Sequence, residues 1–451
     1  MKVNQLGPIN FGEIKLAPLT ILSGANNQGK TYFSYTLYGI LKQLPNLMKG
    51  FFSDKDYNSF REFGKISFNK DVFTSKIINA ISRNLEEEKG KILEMIFKSE
   101  SNAFDNTNIE ISNEEIYNFL RLDEIGNNSI KIANTEILLE VLDGNYTILV
   151  TNNELEKFIS IQRVKNFVDI LISNAINKNI NAFYIPAERI GINVFRGQLN
   201  SNKIEMLDII SNSLINDKKF NNFELDQKLI KGLKQISTVY PKPIEDYLEF
   251  INDISTYDID DKNNELAAFI RRKIIKGRFV VDSTKDKSFY RLQIGKNRYK
   301  SEMIPLHITS SSIKSIYGLD YFFENINYDK QNTLIIDEPE MNLHPSNQLE
   351  FANLLNLIIS KGINTIISTH SDFLVRKIQN IILQNDIDGN LEGLTPDNVK
   401  VYNFENATIK HIDLLNENES YNNFNDIIAD IEDEYLNLLE KRAQKDDLGE
   451  S

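Results

Sequence analysis

Eight residues, Gly24-Ala-Asn-Asn-Gln-Gly-Lys-Thr31, carry the densest chemistry in the chain. They fit G-x-x-x-x-G-K-[ST], a loop whose main-chain N–H groups wrap the phosphates of a nucleoside triphosphate. Gly24, Asn26, Asn27, Gln28 and Gly29 are the candidates for that wrapping. Lys30 is placed to reach the β- and γ-phosphates, and the Thr31 hydroxyl to ligate Mg²⁺. A plain glycine turn is the competing reading, but glycine is scarce here, 20 residues in 451. About 300 residues downstream, Thr333-Leu-Ile-Ile-Asp337-Glu338-Pro339 ends an apolar run in two carboxylates. Asp337 suits a Mg²⁺ shell, and Glu338 can polarise a water for in-line attack on a γ-phosphate. Ile363-Asn-Thr-Ile-Ile-Ser-Thr-His370 closes a second such run with a histidine. His370 can hydrogen-bond the γ-phosphate or the attacking water.

Chemistry at these positions needs strands that end together. Leu19–Ser23 is short, apolar and β-branched, and Tyr32–Leu44 has apolar residues at helical spacing, which gives strand, loop and helix N-terminus in order. Residues 333–337 and 362–369 read as buried strands. The opening 14 residues suggest an antiparallel layer beside the nucleotide, with Phe11 as a core or turn residue or, less simply, an adenine stack. Helical patterns cover 70–98, 154–178 and most of 203–275, without the sustained heptads of a long coiled coil. Strand-prone segments lie near 107–112, 128–142, 145–151 and 277–300. Residues 181–189 form a buried strand that ends at the Glu188/Arg189 corner.

The chain has 451 residues, 41% hydrophobic and 25% charged, as in ordinary globular proteins. No run approaches a membrane span, and no signal peptide is evident, so a cytoplasmic location is the default. With no cysteine, disulfides, thiolate metal sites and cysteine nucleophiles are excluded. The net charge of −13 disfavours a surface broadly adapted to nucleic acid. One segment departs from it. Between 271 and 300, eleven basic residues, headed by Arg271, Arg272 and Lys273, face only Asp282 and Asp286. Phe279, Phe289, Tyr290 and Tyr299 are interleaved. This strip is either a nucleic-acid contact or a solvated face docking on acidic protein. The tail from Leu414 is acidic, and 424–441 carries an apolar helical face that caps the core or docks a partner.

Taken together, Gly24–Thr31, Leu334-Ile-Ile-Asp-Glu-Pro-Glu-Met-Asn-Leu-His-Pro345 and Ser368-Thr-His370 resemble the ABC-type ATPases, in the branch of the structural-maintenance-of-chromosomes, RecF-like and overcoming-lysogenization-defect (OLD) ATPases. The resemblance implies an α/β P-loop fold with a mixed sheet flanked by helices and a mainly helical insertion between the two Walker motifs. The implied division is 1–60 for the first part of the core, 61–300 for the insertion, 301–413 for the second part and 414–451 for the tail. It also implies ATP and Mg²⁺ as ligands, catalysis by Glu338 and His370, and a head-to-tail homodimer or higher homo-oligomer. Glu340–His344 then occupies the D-loop that crosses the dimer interface, with Asn342 near the partner's nucleotide. The signature element falls on Thr309–Lys314, where Ser310 and Ser311 grip the other subunit's γ-phosphate, although the usual glycines are missing. Gln162, Gln198 and the Glu188/Arg189 corner are the candidates for the Mg²⁺-sensing loop.

Three functions stay open. The first is a subunit of an anti-phage defence system that controls a separate nuclease or toxin-like effector, since no nuclease-like acidic cluster follows His370. The second is a RecF-like DNA-repair ATPase that uses 271–300. The third is a regulatory module switched by ATP.

Overall fold

The computed structural model describes residues 1–100, 102–132, 135–151, 161–196, 240–254, 264–282, 287–295, 298–328, 330–416 and 432–439. The strands are β1 (Lys2–Leu6), β2 (Ile9–Glu13), β3 (Leu19–Gly24), β4 (Lys65–Asn69), β5 (Asn108–Glu110), β6 (Asn128–Ile132), β7 (Thr135–Leu142), β8 (Asn145–Val150) and β9 (Ile180–Ile185). They continue with β10 (Gly277–Asp282), β11 (Lys287–Gly295), β12 (Arg298–Tyr299), β13 (Ile304–Pro305), β14 (Gln331–Asp337), β15 (Asn364–Ser368), β16 (Val399–Glu405) and β17 (Thr408–Ile412). Nine of them make one mixed sheet in the order β5-β1-β2-β17-β16-β3-β15-β14-β9.

The strand that carries the phosphate loop lies in the middle of this sheet. β3 is buried along its whole length and pairs in parallel with β15 on one side and β16 on the other. Both faces are covered, Leu22 packing on one side and Leu19 and Ile21 on the other, which is why no exposed polar residue alternates along it. β14 follows the same rule with the pleat visible. Ile335 packs among Tyr184, Ile366 and the helices of the first half, while Leu334 and Ile336 pack against helices Ser311–Glu324, Pro345–Ser360 and Asp372–Asp388. The register Asp337↔Ser368 and Ser368↔Leu22 brings the carboxyl ends of β14, β15 and β3 to one edge. In open α/β sheets that edge is where ligands bind.

The antiparallel opening is present, as β1 paired with β2, and it is built into the same sheet through β17. Phe11 is half-exposed on β2 rather than in the core. Between the Walker motifs, helices are interleaved with two small sheets, β4-β8-β7-β6 and β10-β11-β12 with β13 on β11. The edge strands β5 and β9 of the large sheet also come from this stretch. The segment 154–160, Gln198, all of 203–239 and 255–263 lie outside the described residues.

The basic strip is partly drawn inward. Phe279 and Tyr290 are buried. Arg271 sits in a π-helical turn, Ile270–Ile274, and binds Asp320 with its Nε at 2.9 Å and Glu324 with an Nη at 2.9 Å. Asp320 is fully buried, so this guanidinium is a structural counter-ion and not a phosphate ligand. Arg271→Ala should therefore destabilise the fold by the roughly 3–5 kcal/mol typical of a broken buried pair, and a thermal scan beside a substitution of the exposed Arg272, Arg272→Ala, separates the two roles.

Candidate active site

The helix after the loop, Lys30–Gln43, begins at Gly29, which has φ 100° and supplies no side-chain cap. Its first N–H groups therefore have no side-chain acceptor at the cap, and no acidic residue occupies the first turn. That end of a helix favours an anion. Gly24 has φ 126°, and a Cβ there would lie 2.3 Å from the Phe404 carbonyl oxygen, so the loop can turn here only with glycine. Asn27 is also left-handed, with φ 62°. Asn26 and Asn27 are exposed, and Gln28 is half-buried.

Lys30 is buried, and its Nζ donates to the Gly24 and Ala25 carbonyls at 2.7 and 2.9 Å. Burial pushes its pKa down to about 8, against the pull of Glu338, Asp337 and Glu340. The ammonium thus sits in the loop it would serve, next to three carboxylates but bonded to none of them in its own loop contacts.

Asp337 ends β14 with its side chain almost wholly buried. Its Oδ2 lies 3.5 Å from the Thr31 hydroxyl, and its Oδ1 accepts a hydrogen bond from the Ser368 hydroxyl. Burial, with Glu338 and Glu188 nearby, raises its pKa to about 6, while Ser368 and Arg189 oppose the rise. A hydroxyl and a buried carboxylate side by side form a donor set that fits a hard divalent cation such as Mg²⁺.

Glu338 stands one residue beyond, on a backbone with φ 46°, a region costing about 1–3 kcal/mol for a residue with a side chain. The turn is held by the Glu338 N–H, which donates to the Ser368 carbonyl at 3.1 Å. His370 approaches Glu338, Nε2 to Oε1 at 3.7 Å, which is too long for a direct hydrogen bond. Burial, and Lys30 beyond it, lower the His370 pKa, so the imidazole is neutral at neutral pH.

Four further residues position the site; Arg189, Glu340 and Ser368 stand in segments quoted above without this role, and Asn193 was not singled out. Arg189, 2% exposed, donates to the carbonyls of Asp337 at 2.8 Å, Glu338 at 2.7 Å, Pro186 at 3.1 Å and Ser315 at 3.1 Å. One guanidinium thus joins the Walker B turn to the helix Ser311–Glu324. Asn193 adds a bond to the Lys314 carbonyl at 2.7 Å. Glu340, expected in a D-loop that crosses a dimer interface, is half-buried, and its Oε1 accepts from the His370 N–H at 2.7 Å. Ser368 orients Asp337; its place two residues before His370 on a neighbouring strand was the available signal.

Other expected residues take surface positions. Ser310 caps the Ser311–Glu324 helix, accepting from the Ile313 N–H at 3.4 Å, and both Ser310 and Ser311 are exposed. Asn342 is exposed with φ 63°, and the exposed His344 caps the helix Pro345–Ser360. Gln162 is exposed, and its amide donates to Asn166 at 3.0 Å. The Glu188/Arg189 corner, at the end of β9 and next to β14, is the one beside Asp337.

Solved structures that align with the chain include the Smc head domain with an extended coiled coil bound to the C-terminal domain of ScpA from Pyrococcus furiosus, at 12% identity and TM-score 0.31, over 91% of this chain and 94% of that one. Another is the SMC head domain from Thermotoga maritima, at 12% identity and TM-score 0.30, over 91% and 97%. No curated protein matches the chain. The family model of the AAA ATPase domain matches residues 1–375, and on that match the chain belongs to the AAA ATPase domain family.

Proposed function

We propose that the chain binds and hydrolyses Mg²⁺-ATP, and that two copies close head to tail around the nucleotide and reopen after hydrolysis to control a separate effector. The observation that carries this reading is the convergence at one sheet edge of Lys30, Thr31, Asp337, Glu338 and His370. Lys30 and the N–H groups of the loop would hold the phosphates. Thr31 and Asp337 would hold Mg²⁺, which neutralises charge that develops on phosphate oxygens during transfer. Glu338 orients and deprotonates the attacking water, and the neutral His370 is placed to donate or accept one hydrogen bond beside it. Ser310, Ser311 and Asn342, all exposed, are the groups that would reach the nucleotide of the second copy.

The effector reading, a nuclease or toxin-like protein in anti-phage defence, is supported by the OLD-like motif Asp337-Glu-Pro-Glu-Met-Asn-Leu-His-Pro345. Steady-state ATP hydrolysis by the purified chain, with Lys30→Ala as the blank and with or without duplex DNA, tests it. Turnover above the blank that is indifferent to DNA is the expected result. Turnover several-fold higher with DNA would transfer the reading to a DNA-dependent, RecF-like machine. Turnover equal to the blank would overturn the hydrolytic role of Glu338.

A further inference from the structure

We infer that the acidic tail folds back on its own chain and docks, through the helical segment 432–439, on the basic small sheet β10–β13. Among the described residues, two surfaces lack a cover. Every residue of 432–439 is exposed, including the large apolar side chains Tyr435, Leu436, Leu438 and Leu439, and Glu432, Asp433 and Glu434 lead into them. Four such residues in one short helix, with none of the described residues covering them, mark an interaction face rather than ordinary scattered exposure. On the other side, Arg272, Lys273, Lys276, Lys287, Arg298 and Lys300 are exposed on and around the small sheet. Ile294, Met303 and Ile308, the last 65% exposed, lie on the same sheet and the turn that follows it.

The charges are opposite in sign and equal in size. Residues 272–300 hold ten basic and two acidic residues, a net +8, and residues 417–451 hold eleven acidic and three basic, a net −8. A nucleic acid would satisfy the cations but would gain nothing from Ile294, Met303 and Ile308. An acidic helix with an apolar face satisfies both. With the helical pattern from 424 onwards counted as helix, the residues from Asn416 to Glu432 can span about 40 Å, against a radius of gyration of roughly 22 Å for a domain of this length, so the tail can reach the sheet of its own copy. Ser310 and Ser311 directly follow this sheet, so a docked tail would stand beside the face offered to a second copy.

The chain has no cysteine, so a cross-link between two introduced thiols is unambiguous. Full-length Met303→Cys/Leu438→Cys, treated with a short bismaleimide at low salt and without nucleotide, should give an intramolecular product at least tenfold above Leu142→Cys/Leu438→Cys. Leu142 serves as an exposed site on the other small sheet. The yield should fall several-fold in 1 M salt, which screens the attraction, and equally in Glu432→Lys/Asp433→Lys/Glu434→Lys. Equal yields from the two thiol pairs, a product only at twice the chain mass, or a yield indifferent to salt would each overturn the inference. So would duplex DNA bound equally by the full chain and by a chain ending at 416, with cross-linking at the control level. The readout needs no ATP and stands apart from the proposed hydrolysis.

Discussion

Glu338→Gln should retain Mg²⁺-ATP binding and lose turnover by roughly 10²–10⁴-fold, the range for removing a positioned general base. The carboxylate is not part of the phosphate cradle. It stands one residue past Asp337, on a left-handed turn fixed from behind by Ser368 and Arg189, with His370 at 3.7 Å. Glutamine keeps the shape and the turn but cannot accept the proton. Binding of a fluorescent ATP analogue together with single-turnover hydrolysis separates the two steps. If the reading of the dimer is right, the variant also accumulates as an ATP-bound dimer in size-exclusion chromatography. Full turnover in Glu338→Gln would place the base elsewhere, and loss of binding would mean that Glu338 supports the phosphate loop rather than the water.

The second large effect is expected at Arg189. Its guanidinium is buried and satisfies four main-chain carbonyls, two of them in the Walker B turn and one in the helix Ser311–Glu324. Arg189→Met fills most of the volume and leaves those carbonyls unpaired, at about 1–3 kcal/mol for each one that water cannot reach. Part of the cost is returned because a buried charge is removed: burial already holds the Arg189 pKa below its usual value. A lower melting temperature is therefore one expected outcome. The informative one is kinetic. Freed from Arg189, Glu338 no longer has its turn anchored to the next helix, so kcat should fall by at least tenfold while KM for ATP changes little. Arg189→Lys, which keeps the charge but reaches fewer carbonyls, should recover part of kcat. A loss of stability with kcat intact would reduce Arg189 to a packing residue.

The parts of the site that were legible in the sequence are those whose chemistry is contiguous. Gly24–Thr31 needs only one turn and one helix start, and Asp337, Glu338 and His370 sit at the ends of strands that their apolar runs announce. The parallel register that places Ser368 beside Asp337 was not legible, because register is set by packing on both faces of the sheet. Glu340 was placed only in a loop that crosses a dimer interface, with no partner assigned to its side chain. Its side chain turns in because the His370 N–H at the end of β15 gives it a partner. The strip at 271–300 stayed open between nucleic acid and acidic protein for the same reason. Its composition is basic, but the acids that engage Arg271 lie on a helix some 50 residues later, and no local pattern connects them. The sheets of the middle stretch were seen as strand-prone segments, yet nothing in them signalled that β5 and β9 would close the two edges of the large sheet.

The central place of β3 also has a consequence for how the chain is made. Both of its neighbours, β15 and β16, begin after residue 363. At about 5–20 residues per second, a ribosome would take roughly 20–70 s to supply the first of them. During that interval Leu19–Gly24, apolar on both faces and open on both edges, is the kind of segment that pairs with whatever strand it meets. The earliest part of the nucleotide site to be synthesised is thus among the last to be enclosed, and the nascent chain depends on that one strand being kept apart until its partners arrive.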